Sequence, residues 1–213
     1  MVKNKMHKIN FILFLLVSIT GYSCTPVTSL NPLSDPNNVI FDERLKGVWH
    51  YHTEDDSDVY LHIGKAKDNK TLMMSIEHLK DGMLSTSSSV MFPTKIKNNN
   101  YMSVEFKENT DDIPKDHLGY YFAKYIISNN GKLVISFMDT RKIIEAIEAG
   151  KLKGKITYRE IHAPDKKDQK SRTVDSAKLT DSSENIIEFI RKTDDSILFP
   201  DTEKHEFEKL ANK

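Results

Sequence analysis

Three histidines are the residues of this chain whose type and spacing could do chemistry. His50 and His52 alternate with Trp49 and Tyr51, and His62 and Tyr60 alternate with Val59, Leu61 and Ile63. Alternation of this kind puts residues i and i+2 on one face of a strand. If 49–52 and 59–63 pair as a hairpin, their apolar sets must share a face, because a slip of one residue would expose one of them. That register gathers His50, His52, His62 and Tyr60 on the opposite face. Three imidazoles in reach of one another are ligands for Zn²⁺ or Cu²⁺ and are potential acid–base groups. A solvated sheet face that carries histidine accounts for the same residues. The acidic stretch Glu54–Asp58 joining the strands fits either reading, and no nearby residue fixes a fourth ligand. The expectation is therefore no metal and no cofactor.

Other motifs fail on spacing. Gly150-Lys151-Leu152-Lys153-Gly154-Lys155 has three residues between its glycines and Ile156 after the lysine. A phosphate loop needs four residues there and a Ser or Thr after the lysine. No Gly-x-Ser-x-Gly elbow occurs, and His205-Glu206 lacks the second histidine of a zinc-protease helix. Tyr120, Tyr121, Phe122 and Tyr125 are placed to line a ligand cavity or to serve as ordinary core and rim. No catalytic residue is assigned, and an enzyme would need a site dispersed in sequence, with His50, His52 and His62 its candidates. The reading that leads is a non-enzymatic binding or structural module. Its partner is a small apolar ligand or an envelope protein.

Cys24 is the only cysteine in 213 residues. Before it stand Lys3, Lys5 and Lys8, an apolar run from Phe11 to Ile19, and then Thr20-Gly21-Tyr22-Ser23. The run is about half of the ~20 residues a spanning helix needs and matches a secretory signal in length and flanks. Ending on Ser23-Cys24, the segment resembles the lipobox of bacterial lipoproteins, although Gly21 stands where leucine is favoured. The resemblance implies cleavage after residue 23 and acylation of Cys24. Residues 24–40, with Pro26, Pro32 and Pro36, then read as a tether with little to bury, and residues 41–213 as one domain. Thr25 is not the aspartate of an inner-membrane retention signal, so the expected place is the cell envelope, at the outer membrane where the host has one. The full chain carries 31 basic and 31 acidic residues. Losing the three leader lysines leaves a slightly acidic protein, with no reason to expect a nucleic-acid partner.

The elements follow from periodicity. Phe41-Asp42-Glu43-Arg44-Leu45-Lys46-Gly47-Val48-Trp49 opens the domain with a short helical turn. Its Gly-x-Trp resembles the first strand of lipocalin-type barrels, in which the tryptophan plugs the closed end. The whole stretch is similar to the opening of a group of bacterial lipoproteins with no assigned activity. Period-2 alternation then marks strands at 49–52, 59–63, 72–76, 85–92, 101–106, 120–127 and 133–138, with Asn129-Asn130-Gly131 the clearest hairpin turn. In the third of these, Leu72, Met74 and Ile76 form one set, and Pro93 ends the fourth. Asp139 caps a helix carrying Ile143, Ile144 and Ile147, which stops at Gly150. Strands around Ile156–Tyr158 and Val174–Leu179 flank a charged loop. Asp181-x-x-Glu184 has capping-box spacing ahead of Ile186 and Ile190, Ile197–Phe199 is a short apolar plug, and Phe207 with Leu210 reads as a frayed terminal helix. The fold expected is mainly β: an antiparallel eight- or nine-stranded barrel or two-layer sheet, with two or three short C-terminal helices over an end or an open edge.

Overall fold

Alternation and turn chemistry produce eleven strands, seen in a computed structural model that describes residues 27–53, 56–65, 71–78, 82–106, 118–162 and 170–210. A short strand β1 (Val27–Ser29) precedes a 3₁₀ turn at Glu43–Leu45. A run of hairpins follows: β2 (Gly47–His52), β3 (Asp58–Lys65), β4 (Thr71–His78), β5 (Leu84–Ile96), β6 (Asn99–Phe106), β7 (Gly119–Ile127) and β8 (Lys132–Phe137). Then come α1 (Thr140–Glu148), β9 (Gly154–His162), β10 (Lys170–Leu179), α2 (Ser183–Lys192), α3 (Asp195–Leu198) and β11 (Lys204–Lys209).

Eight of the strands close into an antiparallel barrel. Its order is β2-β3-β4-β5-β6-β7-β8-β11, with β11 pairing back onto β2 and β6 pairing with β7. The closing strand is the segment read from sequence as a frayed helix. Its alternation, His205 and Phe207 inward against exposed Glu206 and Glu208, is short enough to pass for either period. Pro93 does not end β5 as expected; the strand runs on to Ile96. The residues that continue the strand past Pro93 pair with β6, with Pro93 opposite Met102 and Ile96 opposite Asn99.

The interior holds one core of Leu45, Trp49, Val59, Leu61, Ile63, Met91, Met102, Val104, Ala123, Tyr125, Leu133, Ile135 and Phe207. One end is plugged by the 3₁₀ turn. Asp42 caps that turn, and Leu45 and Trp49 are fully buried behind it. The Trp49 indole N–H donates to the Leu45 carbonyl at 2.7 Å, the Tyr125 hydroxyl donates to Asp42 at 3.0 Å, and the Lys209 ammonium lies 5.0 Å over the indole ring.

A second core lies outside the barrel wall. Ile96, Tyr101 and Phe122 face away from the interior and are covered by Ile143 and Ala146 of α1, Ile186 and Ile190 of α2, and Leu198 and Phe199. The helices thus cover a side of the barrel, whereas the sequence suggested an end or an edge. Asp139 caps α1 as expected, but Ser182, not Asp181, caps α2, through a bond from the Asn185 N–H. Asp181 instead accepts from the backbone N–H of Lys153 and the Asn185 amide.

The segment read as a tether also packs here. β1 runs parallel to β10 and meets β7 at Ser29–Tyr120, and Leu33 is buried in the second core. Gly119, at φ +137°, permits this approach: a Cβ there would sit 2.5 Å from the Ser29 carbonyl oxygen. Alternation of Val27, Thr28 and Ser29 is too short to read as a strand, and the partners that bury it lie far downstream. Cys24 and the leader fall outside the described residues.

Candidate functional site

The hairpin register expected from sequence is present. Trp49 pairs with Leu61 and Tyr51 with Val59, all facing inward, while His50 pairs with Tyr60 and Val48 with His62 on the outer face. The histidines do not converge on one another. His50 Nε2 and His52 Nδ1 meet the same oxygen of Asp58, at 2.8 and 3.0 Å, and His62 stands apart. Hydrogen bonds from His52 and then His50 hold the Asp58 carboxyl below its usual range. The Tyr60 ring lies between those of His50 and His78, with centroids 4.8 and 5.2 Å away. Among the described residues no group of three or more His, Cys, Asp or Glu side chains is arranged to hold a metal ion. What the outer face builds is a carboxylate clamped between two imidazoles.

The chemistry that sequence reasoning missed lies inside the barrel. In β4 the inward set is Thr71, Met73, Ser75 and Glu77, because Ile63, Leu61 and Val59 of β3 stand opposite Met73, Ser75 and Glu77. Ile76 pairs with Tyr60 on the outer face instead. Across the next ladder Ser89, Ser87 and Ser85 of β5 pair with Met73, Ser75 and Glu77. From the other side of the barrel come Tyr121 of β7 and His205 of β11. Tyr121 pairs with Val104 and His205 with Ile135, both core residues. The aromatic set of β7 is thereby divided: Tyr121 and Tyr125 point inward, while Phe122 packs in the outer core with Tyr120 against it.

These groups occupy the half of the interior away from the plug. Strand direction shows it, since Gly47 and Trp49 begin β2 at the plugged end and Tyr51 and His52 finish it at the other, where Glu77 also lies. Glu77 is 3% exposed and His205 5%. The His205 ring is framed by Tyr51 and Phe137, with centroids 5.7 and 5.9 Å away, and its Nδ1 has no hydrogen-bond partner. Burial pushes its pKa below the ordinary histidine value, so the imidazole is neutral at pH 7. Among the described residues the lysines of inward parity, Lys65, Lys95 and Lys209, all stand at the plugged end.

An eight-stranded barrel has an interior just wide enough to be filled by side chains or to hold one small ligand. Here Trp49 and Leu133 pack the plugged end, and beyond them a carboxylate, an imidazole, a phenol and a column of serines face inward beside the core residues Val59 and Leu61. The only sequence signal for that half was the serine run 85–89, whose alternate members face inward and outward. No family model, no curated protein and no solved structure matches the chain.

Proposed function

We propose that this protein is a lipid-anchored component of the cell envelope whose barrel works as a binding module. The anchor reading rests on the basic leader, the short apolar run and the lone Cys24 that ends it. The binding reading rests on one observation, the polar half of the barrel interior. A barrel that served only as a scaffold gains stability from an apolar interior, and burying an imidazole whose Nδ1 has no hydrogen-bond partner is a cost an apolar side chain would avoid. A group held at that cost inside a closed wall, among inward-facing serines, is suited to a ligand, and the plug at Trp49 leaves the opposite end as the side of entry. Outer-membrane residence is read from Thr25, which stands where an inner-membrane retention signal would carry aspartate.

The anchor is tested by growing cells with labelled palmitate and following wild type and Cys24→Ala. Wild type should carry the label and partition into detergent, and the variant should lose both. A variant that stays as hydrophobic and as membrane-bound as wild type overturns the anchor. The binding reading is tested separately by calorimetric titration of the full chain with neutral polyols and with oleate.

A further inference from the structure

The polar half of the barrel interior selects among ligand chemistries, and we infer that it takes a small, neutral, polyhydroxylated molecule of about monosaccharide size. This inference rests on the binding reading above. Its centre is His205, whose Nδ1 is buried without a hydrogen-bond partner in the barrel interior that the β5 serines also face. A buried polar atom in that state destabilises the fold. A ligand that satisfies it recovers that energy on binding.

Three features narrow the class. First, a lipid tail would leave His205 Nδ1 unsatisfied against hydrocarbon, the least favourable neighbour for a buried polar atom. Second, among the described residues the inward lysines Lys65, Lys95 and Lys209 all sit at the plugged end, so none of them offers an anionic ligand a partner beside the serines. Third, Ser85, Ser87 and Ser89 on β5 form a column of hydroxyls at strand spacing, with Ser75 of β4 directly opposite Ser87. Hydroxyls donate and accept, and so do those of a polyol. A polyol therefore matches a serine column and also satisfies His205 in either tautomer. The rings of Tyr51 and Phe137 beside His205 supply apolar faces for the C–H side of such a molecule.

The test uses the full chain in detergent and isothermal titration with two kinds of probe. One is a panel of neutral polyols: glucose, galactose, N-acetylglucosamine and myo-inositol. The other is oleate. At least one polyol should bind one-to-one and saturably, and oleate should not compete. His205→Phe, which keeps a ring but removes the polar atom, should weaken that binding at least tenfold. Ser87→Ala, a milder change, should weaken it severalfold and guards against a folding failure in the first variant. Retained fold is read from far-ultraviolet circular dichroism and from the buried-type emission of Trp49. Saturable oleate binding with no polyol binding overturns the ligand class and leaves the binding module standing. Polyol binding unchanged in both variants also overturns the inference, because the ligand then sits elsewhere. If neither probe binds, the binding reading and this inference fall together.

Discussion

His205 gives the folded protein a pH dependence whose sign follows from its burial. In the unfolded chain its pKa returns to the ordinary value of about 6.5, whereas burial holds it lower in the barrel. Between those two values the unfolded state takes up a proton that the folded state refuses. Stability is fully present above about pH 6.5 and is lost as the pH falls below it. The carboxyls of Asp42 and Asp181, both held low in the fold, act in a separate window below their ordinary value of 3.8. Urea midpoints should therefore fall between pH 7 and pH 5 in wild type, and fall less in His205→Phe; equal declines would contradict the assignment. Trp49 offers a check at the plugged end. It is 0% exposed and donates to Leu45. Trp49→Ala should cost about 3–5 kcal/mol in chemical denaturation, and the native protein should emit as a buried indole. Emission like that of free tryptophan would sink the plug.

Among the elements, α3 is the shortest helix and carries the densest polar junction. Its Asp195 carboxylate accepts from the Asn99 amide at 2.5 Å, the Tyr101 hydroxyl at 2.8 Å and the Lys124 ammonium at 2.6 Å. All three donors stand on the outer wall formed by β6 and β7, so this one residue ties the helical layer to the barrel. Asp195→Ala strands Lys124 and Tyr101 and should lower stability by about 2–3 kcal/mol. Hydrogen exchange should then speed up in α2 while the β2–β3 amides keep their protection; uniform acceleration would mean the junction is not local. The element scale also shows where the sequence was legible. Gly47-x-Trp49 and the β2–β3 register could be read because apolar residues face one way and histidines the other. In β4 the rule inverted: the inward set includes Ser75 and Glu77, so a reading that sends apolar residues inward chooses the wrong face. The same inversion hid the candidate site. β11 was missed because two inward residues, His205 and Phe207, carry no period. The capping positions of α1 and α2 were recovered to within a residue, since capping depends on local chemistry alone.

For the whole molecule, two cores share one wall, and the N-terminal strap completes the outer one. A chain beginning at Phe41 would match the domain read from sequence. It would lack β1 and Leu33, whose burial alone is worth roughly 1.5–3 kcal/mol. Its thermal midpoint should fall by several degrees, and the outer core should bind a hydrophobic dye. An unchanged midpoint would show that the strap is a passenger. The strap also has a place in time. β1 is made before its partners, Tyr120 and Ala177–Leu179, which follow about 90 and 150 residues later in the chain. Pairing across such separations is slow and must wait for the distant strands to exist. The segment just after Cys24 therefore remains extended and unpaired until most of the protein has emerged. Under the lipid-anchor reading this is the interval in which a peptidase and an acyltransferase need an open chain at Cys24. The order of the strands along the chain leaves β1 without its parallel partner until β10 has been made.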